Sequence, residues 1–234
     1  MSLPVLQTPE FETTIPSTGK TIHFRPFLVK EEKILLMALQ GNEPSEMVHA
    51  VKRVLDSCVS SSEFDVDALA MFDLEYLFLQ LRAKSVGEVI DLKLRHREGD
   101  CDHATDVSIN LEDVKVQFEH KDNHKIQIND NVGIVLKYPT INQSQVIDSR
   151  ATFSSVLEFI AGCVDVVYDS ERVYEDFSND EVVQFLESLS AQQFASIRDF
   201  FSQMPKLSHV VEWQCEKCGE TESIKLEGLS NFFM

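Results

Sequence analysis

Cys215-Glu216-Lys217-Cys218-Gly219, late in the sequence, and Cys101-Asp102-His103, in its middle, decide how the chain is read. Each segment falls in a turn between two strand-like runs. Val211 and Trp213 alternate with Glu212 and Gln214 before the first, and Ser223-Ile224-Lys225-Leu226 follows it. Ile90, Leu92 and Leu94 alternate with Asp91, Lys93 and Arg95 before the second, and Val107, Ile109 and Leu111 follow with the same period of two. A Cys-x-x-Cys turn between strands aims two thiolates at one point, and a glycine just behind it eases the turn. Cys215 and Cys218 meet that description with Gly219. The two segments are therefore expected to form one structural zinc site, with Cys101, His103, Cys215 and Cys218 as ligands. Cys-x-His is tighter than the usual spacing, and His96, Asp106 and His209 stand as substitutes should His103 point away.

Two other readings compete. A redox Cys-x-x-Cys follows a strand and opens a helix, whereas strand-like sequence flanks this one on both sides. The cysteines could also be ordinary surface or core residues. The chain holds five cysteines and no secretory signal is expected, because Met-Ser-Leu-Pro-Val-Leu has neither a basic region nor an apolar core. An odd count without a signal points to a reducing compartment rather than a disulfide framework. Cys58 follows Val48, Val51 and Leu55 on one helical face, and Cys163 follows Val156 and Ile160, so these two read as core residues.

Composition narrows the function classes. The 234 residues are 43% hydrophobic and 26% charged, which suits a globular chain with ample core. No apolar run approaches the roughly 20 residues of a membrane span. The formal net charge of -18 repels phosphate backbones and anionic lipid. Neither nucleic acid nor membrane is expected as a direct partner; the charge fits a soluble protein, or one that meets basic partner surfaces.

Outward from the cysteine segments the chain divides into three regions. Residues 1–85 form a hairpin and helices. Phe11 to Ile15 and Thr21 to Phe24 flank the turn Pro16-Ser17-Thr18-Gly19-Lys20. Gly19-Lys20-Thr21 is no phosphate loop, since Thr14 stands where that motif needs its first glycine and extended sequence follows. A helix begins at Val29, and its run Ile34-Leu35-Leu36-Met37-Ala38-Leu39 is expected to be buried all round, or else to give one side to a partner. Gly41-Asn42 stops it, Pro44 opens a second helix, and a third is expected from Val66 to Ala83. Residues 86–142 and 205–234 form the antiparallel zinc-ribbon-like region, including short strands at Val114 to Phe118, Lys125 to Ile128 and Gly133 to Tyr138. Residues 143–204 form a helical insertion, with a short strand an option at Val166-Val167-Tyr168. Ser178 with Glu181 and Ser190 with Gln193 have the capping-box spacing that starts a helix. These tandem helices resemble a helix-turn-helix in outline, but Arg198 is their single base among many acids. The fold class is α+β.

Catalytic patterns are absent from the sequence. There is no Gly-x-Ser-x-Gly elbow and no His-Glu-x-x-His. His120 and His124 fall in a polar run that reads as a solvated loop, and no residue stands out as acid, base or nucleophile.

One stretch is unlike generic sequence: Pro16-Ser17-Thr18-Gly19-Lys20, then Phe24-Arg25-Pro26-Phe27-Leu28-Val29-Lys30-Glu31-Glu32-Lys33 and Leu35-Leu36-Met37-Ala38, with Leu81-Arg82-Ala83-Lys84-Ser85-Val86-Gly87-Glu88 further on. It resembles the baseplate hub subunits and hub assembly proteins of T-even-type contractile phages, with Cys-x-His here in place of a second Cys-x-x-Cys. The resemblance implies a non-enzymatic hub component, or a hub assembly factor with a chaperone-like role. Its partners would be other baseplate hub proteins, and its location the host cytoplasm during assembly or the finished tail. Arg25-Pro26-Phe27-Leu28 and the helix after it would then be contact candidates. The alternative is a cytoplasmic zinc-ribbon adaptor unrelated to phage.

Overall fold

The computed structural model describes residues 7–41, 43–97, 101–118, 124–144 and 152–228. The expected apolar tail beyond Gly228, His120 and the middle of the turn at 98–100 lie outside the described residues. The chain packs as two compact units, one made of residues 1–66, 72–117 and 206–234, the other of 67–71 and 118–205.

The first unit opens with the expected hairpin. β1 (Phe11–Thr14) pairs antiparallel with β2 (Thr21–Phe24), and Gly19 takes the left-handed conformation that their turn requires. Helices α1 (Val29–Gly41) and α2 (Pro44–Cys58) follow. A short 3-10 turn at Val66–Ala68 precedes α3 (Met71–Ser85), which is where the expected third helix begins in earnest. The hairpin is stitched to the end of α2 by Arg25 N–H to Cys58 O and by Ser60 N–H to His23 O. Cys58 is buried there, and burial pushes its thiol up to about 11.

α1 departs from the all-round burial expected of its apolar run. Leu35 and Ala38 face inward, while Leu36, Met37 and Leu39 are exposed, as are Leu28 and Val29 ahead of them. Six consecutive apolar residues wrap the whole helix circumference, and among the described residues the main packing partner of α1 is α2, so part of that circumference stays exposed.

At the start of α1, Glu31 is buried yet well supplied with donors. Leu28 N–H gives it a 2.7 Å bond, and Arg25 Nη2 lies 3.1 Å from its other oxygen. Arg25 also donates to Ser57 O and Pro26 O. Burial alone would raise the Glu31 carboxyl, but the bonds from Arg25, Leu28 and Lys30 outweigh it and hold the group below its ordinary value. Arg25 therefore braces the hairpin against both helices. Arg25→Ala is expected to lower stability by about 2 kcal/mol in urea unfolding. Lys30→Ala, at a side chain 72% exposed, should stay within about 0.5 kcal/mol. The carboxylate's contribution is full above the ordinary glutamate value of 4.5 and is lost as pH falls through the lower folded value.

β3 (Val89–His96), β4 (His103–Asn110) and β5 (Lys115–Gln117) complete the first pass through this unit. β3 and β4 pair residue for residue, from Val89 opposite Asn110 to His96 opposite His103.

The chain then builds the second unit. β6 (Lys125–Gln127) and β7 (Gly133–Leu136) pair with each other, α4 (Ile141–Ser144) and α5 (Phe153–Gly162) follow, and β8 (Val164–Tyr168) returns beside β7. β9 (Val173–Tyr174) closes a four-stranded sheet in the order β6-β7-β8-β9. α6 (Asn179–Glu187) and α7 (Ala191–Ser202) cover it, each with the capping box its sequence announces. The sequence pattern places 86–142 with the cysteine sheet and 143–204 in a helical insertion, with Val166-Val167-Tyr168 as an optional strand. In the structure the strands of both segments share this second sheet, because Val-Asp-Val-Val-Tyr in β8 is β-branched and pairs with β7. The core holds Ile134, Leu136, Leu157, Leu186, Ile197 and Phe200. Cys163 is buried beside it, its thiol pushed up to about 12 by burial. His124 is no solvated loop residue. Its Nδ1 lies 2.6 Å from Leu136 O, and its ring packs on Tyr138 and Phe200.

β10 (Lys206–Gln214) and β11 (Thr221–Glu227) return to the first unit. β10 is the middle strand of a sheet ordered β11-β10-β5. Leu79 and Ala83 of α3 pack with Ile90, Leu92, Ile109, Leu111 and Val114, and with Leu207, Val211 and Leu226. This core brings the turn after β3 and the turn after β10 to one place. Among the described residues, no helix is long and apolar enough to cross a membrane.

Candidate metal centre

Three cysteines and one histidine converge in the first unit. His96, Cys101, Cys215 and Cys218 each offer a ligand atom, and the four atoms lie within 4.8 Å of one another. Cys101 Sγ and Cys215 Sγ are 3.8 Å apart, and Cys218 Sγ is 3.4 Å from His96 Nδ1. His96 and Cys215 are each 1% exposed, whereas Cys218 is open to solvent.

Local structure explains the convergence. The turn after β10 closes through Cys215 N–H to Glu220 O and Gly219 N–H to Cys215 O, both 2.9 Å. Gly219 has φ of 79°, a left-handed value that a side chain would strain. Glu216 N–H reaches Thr105 Oγ1 on β4, which docks this turn on the other hairpin. Cys101 is placed by its neighbour: Asp102 takes a two-pronged bond from Arg95, Nε to Oδ1 and Nη2 to Oδ2.

The sulfurs are electrostatically unequal. The backbone N–H groups of Cys218 and Lys217 point at Cys215, and with the neighbouring thiols they outweigh burial and bring its pKa down to about 6. Burial, together with the sulfurs of Cys218 and Cys215, pushes Cys101 up to about 11. The protein alone thus stabilises one thiolate and opposes a second. A cation among the three sulfurs would remove that opposition, which is the chemistry of a thiolate metal site.

His103 is not among the four. It sits at the start of β4, partly exposed, with Nε2 3.9 Å from Glu216 Oε2. His96, named in the sequence only as a substitute, takes the place. Its signal was the strand period: Ile90, Leu92, Leu94 and His96 are in phase, and all but the partly buried Leu94 are buried. Asp106 is exposed beside Lys93, and His209 lies within β10 opposite Leu226.

The class of protein is thereby defined: an α+β chain whose first unit brings together a four-residue Cys/His cluster from segments more than a hundred residues apart. A family model described as T4 bacteriophage base plate protein matches residues 8–234. The chain belongs to that family. No curated protein and no solved structure matches it.

Proposed function

We propose that the protein is a non-enzymatic part of the phage tail baseplate, working in or on its hub through protein–protein contacts, and that its Cys/His cluster holds one structural zinc ion. The observation that carries the first half is the family match along nearly the whole chain. The hub assignment rests on the resemblance of the Phe24–Ala38 and Leu81–Glu88 segments to hub subunits and hub assembly proteins. Family membership favours this reading over an adaptor unrelated to phage.

Two of the six separations among the four ligand atoms, which all lie within 4.8 Å of one another, support zinc. A tetrahedral zinc with bonds of about 2.3 Å to sulfur and 2.0–2.1 Å to nitrogen has sulfur–sulfur edges of about 3.8 Å and nitrogen–sulfur edges of about 3.5 Å. The Cys101–Cys215 and His96–Cys218 separations are 3.8 and 3.4 Å. Four protein ligands leave no open coordination position, so the ion would hold structure rather than act on a substrate.

The test is co-expression with the hub proteins of the same phage, followed by affinity purification, together with analysis of purified particles. Co-purification is the expected result, and presence in particles would mark a resident component rather than an assembly factor. Hubs that form normally without this protein, with no co-purification, would end the proposal.

A further inference from the structure

The far side of the His96 ring carries a further assignment. Nδ1 is the nitrogen that faces the sulfurs, 3.4 Å from Cys218 Sγ. Nε2 therefore points away from them. It is fully buried and, as it stands, has no directed hydrogen bond. Two carboxylates nevertheless stand beside it, Glu222 Oε1 at 3.0 Å and Glu220 Oε2 at 3.3 Å. An imidazole that binds a metal through one nitrogen is neutral and carries its proton on the other. A buried N–H of that kind needs an acceptor.

Glu222 is the better placed of the two. It sits on β11, directly opposite Trp213 in the β10–β11 ladder, and its side chain is 32% exposed against 65% for Glu220. Trp213 meets the His96 ring edge-on at 6.5 Å. One rung of the ladder therefore frames the imidazole, with the indole against the ring and the carboxylate at its nitrogen. Resting on the reading of the cluster as a zinc site, we infer that Glu222 is its outer partner: the carboxylate accepts the Nε2–H of His96, fixes the ring with Nδ1 toward the three sulfurs, and so strengthens metal binding. Glu222 touches no metal in this arrangement. It is a positioning residue, and through it β11 becomes part of the clamp that otherwise involves only the turns and β3.

The experiment is zinc titration of the full chain against a chromophoric chelator, for wild type, Glu222→Gln, Glu222→Ala and Glu220→Gln. Long-range 1H–15N spectra of the imidazoles in the zinc-loaded wild type accompany it. Glu222→Ala should bind one zinc about 10–100-fold more weakly. Glu222→Gln should fall between it and wild type, because an amide oxygen still accepts the bond without the charge, and Glu220→Gln should match wild type. The spectra, recorded also for Glu222→Gln, should show His96 metallated at Nδ1 in both and the Nε2–H resonance moved upfield once the carboxylate is lost, a change that a Glu222 without a bond to Nε2 would not produce. Unchanged affinity in Glu222→Ala, or a metallated Nε2, would overturn the role of Glu222 while leaving the zinc site standing. A wild type that binds no zinc would overturn both. Should Glu222→Ala fail to fold, Glu222→Gln, which keeps the volume of the side chain, still supplies both the affinity and the Nε2–H shift, and no change in either would overturn the role of Glu222.

Discussion

Cys215→Ser should strip the metal from the protein and collapse the cysteine sheet, at a cost of about 5 kcal/mol or more. Cys215 is the sulfur with most to lose, being the buried one, aimed by two backbone N–H groups and in contact with Cys101. Structural zinc contributes about 10–16 kcal/mol in small zinc-finger peptides that have little else. The first unit also has an apolar core of its own, so part of its stability should survive. The chain supplies a local reporter, because its single tryptophan, Trp213, packs edge-on against His96. Elemental analysis should give one zinc per wild-type chain and none for the variant. A strong chelator added to wild type should reproduce the shift of the tryptophan unfolding transition. Full stability in Cys215→Ser, with an unmoved tryptophan signal, would show that the cluster holds no metal.

Phe200→Ala carries the second large expectation, a loss of about 3–5 kcal/mol from the second unit. The ring is 2% exposed on α7. It stacks on Tyr138 at 5.7 Å, meets Phe201 edge-on at 5.1 Å and closes on His124 at 5.6 Å. Its removal deletes more than the area it buries, since three aromatic partners lose their geometry at once. Circular dichroism against temperature would read the effect. A change under about 1 kcal/mol would mean that the neighbouring rings close over the cavity.

Local chemistry explains which features were legible in the sequence. The capping boxes at Ser178 and Ser190 need only residues three apart, and both are formed. The hairpin at 11–24 and the Cys-x-x-Cys-Gly turn are equally local. What escaped is set by pairing across distance. His103 is two residues from Cys101, yet His96, on the opposite strand, is the ring that meets the sulfurs. Spacing along the chain measured the wrong separation, while the period of β3 carried the right one. In the same way, nothing near Gly133–Leu136 announces that its partner strand is Val164–Tyr168, on the far side of a helix. The burial expected for α1 failed for a related reason: an apolar run states how much surface wants cover, and the number of packed neighbours decides how much receives it.

The first unit is split in sequence, with 118–205 set between its two parts. A ribosome delivers residues in order, at about 5–20 per second. The hairpin bearing His96 and Cys101 therefore leaves the exit tunnel several seconds before Cys215 and Cys218 exist outside it. During that interval the first unit lacks β10, the middle strand of its three-stranded sheet, and two of its four clustered Cys/His residues, and residues 118–205 of the second unit are the ones being made. The first unit can therefore complete its three-stranded sheet only after the second unit has been synthesised. A chain that stops before residue 215 holds an unfinished sheet and only His96 and Cys101 of the four clustered residues.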